Sequence, residues 1–537
     1  MKKIFGTILL ASAVACSLVC VQGTRINSEA IGAEDFKIIK VTDENRQEVY
    51  ATPIAADVEE TYHPDDRRWN GIAHIEVTAG GRLFASWYTG GAQEPDNNNY
   101  MVLSYSDNGG KSWVDPFLIV DTKQDSVRAF DPFLHINNAG ELVWYWWCGG
   151  NWQTTITNPD AAPEKITWTT PQKTGPENIG AYIQEPVRLS DGSLAVCRQN
   201  SYTGKDIDFL VSDDDGKTWR KRGSVISRVD QDSSEAKVLE LSDGTLWLFA
   251  RIPRGGNGGV QRFVSTDSGW TWSEPQSDLG KPFIGPGSRF AVGRLQSGNL
   301  LFVTNDSTSA RTALTAWLSE DDGKTWPYSL LIDDRSDVAY PEFDQDAAGN
   351  IYLIYDKGRR VEKEIRLSVF NEQDIKDGVI SSSKGASRLP IAKDKKYSDI
   401  VYADTGVAGS RLDLPLGTSK EEAIAKFNTT VAVTDEKGIE TTLTGTWNVL
   451  GYSPEREGTY VFTFRYEKGD LPEGVTDSRG LLSVRVKLGN KNTEEKPNET
   501  PAGGCNASSY NAAAVIGSLV LGIAVAALTT VKRRKKD

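Results

Sequence analysis

Ser212-Asp213-Asp214-Asp215-Gly216-Lys217-Thr218-Trp219 recurs as Ser265-Thr266-Asp267-Ser268-Gly269-Trp270-Thr271-Trp272 and again as Ser319-Glu320-Asp321-Asp322-Gly323-Lys324-Thr325-Trp326. An earlier copy, Ser106-Asp107-Asn108-Gly109-Gly110-Lys111-Ser112-Trp113, carries Asn108 where the others carry Asp. The leading serines at 106, 212, 265 and 319 stand 106, 53 and 54 residues apart, so the first gap spans two periods. Ile166-Thr167-Trp168 with Pro171 reads as the remnant of the unit between. A period of about 50 residues with a hairpin turn in each unit is the pattern of propeller blades, because one four-stranded sheet cannot bury both faces alone. Within each unit the Asp or Asn accepts N–H bonds across the turn, Gly supplies the positive φ, and Trp packs between sheets. The acidic residues of the repeat therefore serve folding at the outer turns.

Strands alternate around these turns, as in Gly81 to Tyr88 and Gly244 to Arg251. Five units plus a last strand set around Ile351–Tyr355 and Ile365–Phe370 predict six blades. At 537 residues the chain is too long for one ordinary core. Its 50 Gly, 15 Trp and 18 Tyr against 2 Met suit short strands and tight turns, so the expected class is all-β. A formal charge of -13 excludes a nucleic-acid partner, which needs a basic face.

The two ends carry different signals. Met1-Lys2-Lys3 followed by an apolar run from Ile4 to Val21 reads as a secretory leader. Residues 511–531 contain no charge and are followed by Lys532-Arg533-Arg534-Lys535-Lys536, which reads as a transmembrane helix with the bulk of the protein outside. The expected location is therefore secreted and anchored to the cell surface, with the membrane as a partner. Of five cysteines, Cys148 and Cys197 lie in the body, where pairing and two separate buried thiols both remain open. Neither the cysteines nor His63, His74 and His135, the only histidines, show a metal-ligand spacing, so no metal is expected. No redox cofactor is implied.

After residue 390 the eight-residue pattern stops. Trp447 to Tyr466 is hairpin-rich and resembles a bacterial Ig-like domain, in which a Gly-Thr-Tyr leads the closing strand. Ser419 to Lys426 predicts one short capped helix within it. The expected order is a leader (1–33), a propeller (34–385), an Ig-like domain (390–488), a linker (489–510), a transmembrane helix (511–531) and a basic tail (532–537).

The repeated boxes resemble the Asp-boxes of the sialidase superfamily over roughly residues 60–375. The segment Glu235-Ala-Lys-Val-Leu-Glu-Leu-Ser-Asp-Gly-Thr-Leu-Trp-Leu-Phe-Ala-Arg251 is similar to one in which, in sialidases, the first Glu assists the nucleophile and the last Arg grips the substrate carboxylate. Arg311, leading into the last box, resembles the family's last carboxylate-binding Arg; the planar fork of Arg binds a carboxylate in two bonds. Tyr340, twenty-nine residues on, resembles the nucleophilic Tyr, used because a carboxylate nucleophile would be repelled by the substrate's own carboxylate. The family's first Arg aligns with Gly71, so its cluster is incomplete; Arg68 and Arg128 are the candidates to fill the gap. For the general acid, position implies Glu94 or Asp96, with Asp131 as a further candidate.

The resemblance thus implies retaining hydrolysis of a terminal carboxylate-bearing sugar, sialic acid or a relative, on a glycan substrate. Two other readings stay open: a non-catalytic glycan-binding propeller, and a hydrolase or lyase for another acidic monosaccharide.

Overall fold

The computed structural model describes residues 31–124, 127–175, 184–199, 206–226, 234–252, 259–449, 451–467 and 470–489. The strands between Phe36 and Ala392 form six antiparallel sheets, each a meander in chain order, which is the expected six-bladed propeller. The first strand of each sheet is innermost, and these strands run Asn70–Val77, Phe130–Ile136, Val187–Arg188, Ser234–Glu240, Ala291–Arg294 and Val338–Gln345 for blades 1 to 6. Blade 6 packs directly on blade 1, so the ring closes. Phe36–Lys40 adds a fifth, outer strand to blade 1 by pairing with Val114–Thr122.

The repeat does what its residue types require. In blade 4 the Ser265 hydroxyl donates to Asp267 Oδ1 and accepts from Gly269 N, while Thr271 donates its N–H and its hydroxyl to the two Asp267 oxygens. The same bonds form around Asp214 and Asp321. Gly269 has φ of 88°, and a side chain there would collide with Phe209 of the preceding blade, 2.3 Å away. Each box thus seats one blade on its neighbour. In blade 2 the loop in the equivalent place carries Trp168, bridged to Ile156.

From Ser398 to Gly489 the remaining strands join in one seven-stranded order around a single core that includes Phe427, Trp447, Phe462 and Phe464. The strand Glu440–Val449 pairs through its first half with Thr430–Asp435 and through its second half with Gly458–Tyr466. A β module after the propeller is therefore present; the strand order does not by itself define an Ig-like domain. Within it Lys420–Ile424 is the expected helix, with Ser419 and Glu422 forming a capping box.

The expected membrane span is corrected, and with it what depended on it. Among the described residues no helix is long and apolar enough to cross a membrane, and residues 511–531 lie outside them. The transmembrane helix is withdrawn from the fold, and with it the membrane as partner and the cell-surface anchorage that rested on it. The leader also lies outside the described residues. Cys148 and Cys197 are buried, separate thiols rather than a disulfide.

Candidate active site

The innermost strands share a local distortion that builds the site. Ile72, Asp131, Glu235 and Tyr340 all have positive φ, between 44° and 59°, and each lies at a break in the register between the first and second strands of its blade. Positive φ is costly for a residue bearing a Cβ, and such bulges re-aim side chains. Here they turn one residue per blade, from blades 1, 2, 4 and 6, toward the axial mouth. Ile72 offers no chemistry, whereas the other three offer two carboxyls and a phenol.

Tyr340 is 6% exposed and lies among four guanidinium groups. Arg359, Arg289, Arg311 and Arg251 stand 4.0, 4.9, 5.1 and 5.8 Å from its ring centre. Arg251 Nη1 donates to Tyr340 Oη at 2.9 Å and also to Glu235 Oε2, while its Nε is held by the Gly287 carbonyl at 2.7 Å. One nitrogen with two hydrogens thus bridges the phenol and the carboxylate. Arg289 Nη2 reaches Glu235 Oε1 at 3.5 Å. Burial favours the neutral acid at Glu235, but Arg251 and Arg289 overcome it and hold the carboxyl below its usual range. Arg311 is tied to the strand of Tyr340 by its carbonyl, which accepts from Val338 N at 3.1 Å.

The space left by Gly71 is filled by Arg359, which the sequence reading missed. A Cβ at Gly71 would stand 2.9 Å from Arg359 Cδ and Nε and 2.9 Å from Trp69 Cη2. Asp356 fixes this arrangement: its Oδ2 accepts from Arg359 Nε at 2.9 Å and from Ile72 N at 2.9 Å. The same carboxylate therefore holds the guanidinium and the bulge that makes room for it. Gly71→Ala is expected to displace Arg359, since Trp69 is buried and cannot yield. Overpacking of this kind costs about 1–3 kcal/mol, and thermal unfolding of Gly71→Ala beside the unaltered protein checks for the stability loss.

The two arginines expected at that place stand elsewhere. Arg68 is exposed, with its backbone N–H on Glu60. Arg128 packs 3.7 Å over the Phe130 ring and donates to Asn99 Oδ1 at 3.0 Å, so it belongs to the rim beside Asp131. Arg289 was also missed, although it lies 54 residues after Glu235, one repeat along in blade 5. That spacing was the signal that could have found it.

The three candidate acids separate. Asp96 organises its own loop, accepting from the N–H groups of Ala92 and Asn98 at 3.1 and 3.0 Å. Glu94 reaches the mouth, where its Oε2 pairs with Arg359 Nη1 at 3.3 Å. Asp131 is pushed up to about 6, first by burial and then by the charges of Glu94 and Glu235, against the opposing pull of Arg289 and Arg128.

Residues 81–353 match the BNR repeat-like domain family. A sialidase of Bacteroides fragilis (strain YCH46) is 24% identical over 302 residues, 47% of this chain and 53% of that protein. A sialidase of Micromonospora viridifaciens is 32% identical over 157 residues, 28% of this chain and 23% of that one. The chain thus spans about half and about a quarter of the length of these two relatives. Among solved structures, the Hadza microbial sialidase Hz136 aligns with a TM-score of 0.47 at 18% identity, covering 59% of this chain and 68% of that one. With its six blades, its boxes and the match across half of its length, the chain belongs to the BNR repeat-like domain family.

Proposed function

We propose that the protein is a retaining exo-glycosidase that removes a terminal carboxylate-bearing sugar, sialic acid or a close relative, from glycans. One observation carries the reading: a phenol and a carboxylate bridged by a single guanidinium nitrogen, inside a ring of four arginines at the propeller mouth. Arginine forks recognise a planar carboxylate, and a neutral nucleophile is what such an anionic substrate requires. The two sialidase relatives support the same chemistry.

The substrate carboxylate engages Arg251, Arg311 and Arg359, drawing Arg251 away from Glu235 and raising the basicity of that carboxylate. Tyr340 Oη attacks the anomeric carbon while its proton passes to Glu235, and the bond to the leaving oxygen breaks as that oxygen takes a proton from Asp131. Water then attacks the glycosyl-tyrosine, giving its proton to Asp131, and Glu235 returns its proton to the phenol. Asp131 is favoured as the acid because its carboxyl holds a proton to about pH 6, whereas Glu94 is engaged by Arg359.

The acid role fixes the sign of the pH dependence. Asp131 must be protonated to donate, so turnover of a sialoside with an alkyl leaving group is expected to fall as pH rises through about 6. Asp131→Asn should remove that limb and slow the reaction roughly 10²–10⁴-fold, with a smaller loss on an aryl sialoside, whose leaving group needs less help. A limb that survives in Asp131→Asn and vanishes in Glu94→Gln would transfer the role to Glu94.

Turnover of a fluorogenic sialoside by the purified protein tests the reading as a whole. Hydrolysis of only other acidic glycosides would point to a different acidic sugar, and binding without turnover to a glycan-binding propeller. The β module after Ser398 is read as Ig-like on a corner that the Tyr460 hydroxyl makes with the backbone just before its strand, 2.9 Å from the Arg456 carbonyl and 3.1 Å from that of Ser453.

A further inference from the structure

Below the mouth, the propeller axis is lined by side chains that the proposed reaction does not use. Alternate residues of a strand face the same side, so the strand of Tyr340 carries Glu342 and Asp344 further down, and the strand of Glu235 carries Lys237. Blade 1 adds Glu76, blade 2 adds His135, and the segment leading into blade 3 adds Glu185. Four carboxyls meet one ammonium here: Lys237 Nζ lies 3.5 Å from Glu342 Oε2 and 3.9 Å from Glu185 Oε2.

Glu76 and His135 are only 4% and 7% exposed. Glu76 Oε1 and His135 Nε2 nevertheless have no hydrogen-bond partner, and Glu342 has only the Lys237 ammonium beside its Oε2. Buried polar atoms left unpaired are costly and rare, and buried charges are paired or coordinate metals. Glu76, His135 and Glu185 each offer one ligand atom, all within 4.8 Å of one another. A cation with bonds of about 2.0–2.4 Å holds its ligand atoms roughly 3–5 Å apart. The axis is also reachable: a cavity of about 680 Å³, lined by the far ends of the innermost strands of blades 3 to 6, extends to Glu185, Lys237 and Asp344. It lies at the end of the axis opposite Tyr340.

We propose that Glu76, His135 and Glu185 bind one divalent transition-metal ion of the zinc or manganese class on the propeller axis, stapling blades 1, 2 and 3. The imidazole selects this class over calcium or magnesium, which prefer oxygen-only sets. The site is structural, since it stands below the mouth and offers nothing to the reacting atoms.

The test uses the full chain, stripped with EDTA and titrated with Zn²⁺, Mn²⁺ or Ca²⁺ while binding and thermal unfolding are followed. Expected are about one Zn²⁺ or Mn²⁺ per chain, weaker Ca²⁺ binding, and a rise in melting temperature of roughly 3–5 °C at saturating metal. His135→Gln and Glu185→Gln should each weaken binding at least tenfold and abolish the thermal shift. Co²⁺, as a second probe, should give visible absorption in the unaltered protein that His135→Gln loses. Absence of stoichiometric binding by the unaltered protein, or binding that survives both substitutions, overturns the proposal. Sialoside turnover is measured separately, so this failure is distinct from failure of the proposed activity.

Discussion

Tyr340→Phe is expected to reduce turnover of an activated sialoside roughly 10³-fold or more, because it deletes the oxygen that forms the covalent bond in the proposed mechanism. The fold should be untouched. Among the described residues Tyr340 Oη makes one hydrogen bond, from Arg251, which remains paired with Glu235, and the ring surface under the four guanidiniums is unchanged. Kinetics beside thermal unfolding separates the two effects: a large loss in kcat with an unaltered melting temperature supports the nucleophile role. Retention of more than about a tenth of the activity would remove Tyr340 from the chemistry.

Arg359 gives the second large effect. Two charge-assisted hydrogen bonds to a substrate carboxylate contribute about 1.5–3 kcal/mol each, so losing the fork should lower kcat/KM for a sialoside by roughly 10²–10⁴-fold. Arg359→Ala also strips Asp356, 1% exposed, of its cation, and a fall in stability accompanies the kinetic loss. Arg359→Lys keeps the charge but not the fork. It is expected to hold most of the stability while recovering little of the activity. Arg68→Ala is the control, expected to change kcat/KM less than twofold, because that side chain is exposed and is not among the four guanidiniums around the Tyr340 ring. Equal losses from Arg68→Ala and Arg359→Ala would contradict the assignment of the third arginine.

The legible part of this protein was its periodicity. The boxes gave the blade count because each is a local device in which Ser, Asp, Gly and Thr satisfy one another within eight residues. Glu235, Arg251, Arg311 and Tyr340 were implied by the resemblance of their segments to those of sialidases, and the fold brings all four to the mouth. Arg359 was invisible for a physical reason. It lies 288 residues after Gly71 and meets it only because blade 6 closes the ring onto blade 1, a contact no local pattern encodes. The axial cluster was hidden in the same way, since Glu76, His135 and Glu185 come from three blades and share no motif spacing. Arg289 was recoverable in principle, one repeat beyond Glu235. The phase of the boxes was followed into the outer turns, but not inward to the bulged positions of the first strands.

Asp131 shows the opposite case, a residue chosen on weak local grounds whose environment gives it a distinct chemistry. Nothing in Phe130-Asp131-Pro132 shows that burial and two neighbouring carboxylates will push its carboxyl to about 6. The membrane span was overturned where the sequence pattern looked simplest, since no described helix can cross a membrane.

In the proposed reaction the Tyr340 oxygen becomes covalently bonded to the sugar. Incubation with a 3-fluorinated sialosyl fluoride, which slows hydrolysis of the glycosyl-enzyme, followed by proteolysis and mass spectrometry, tests it directly. One fluorosialyl adduct per chain is expected on the peptide bearing Tyr340, absent from Tyr340→Phe. An adduct on any other residue, or sialoside turnover with no adduct at all, would contradict it.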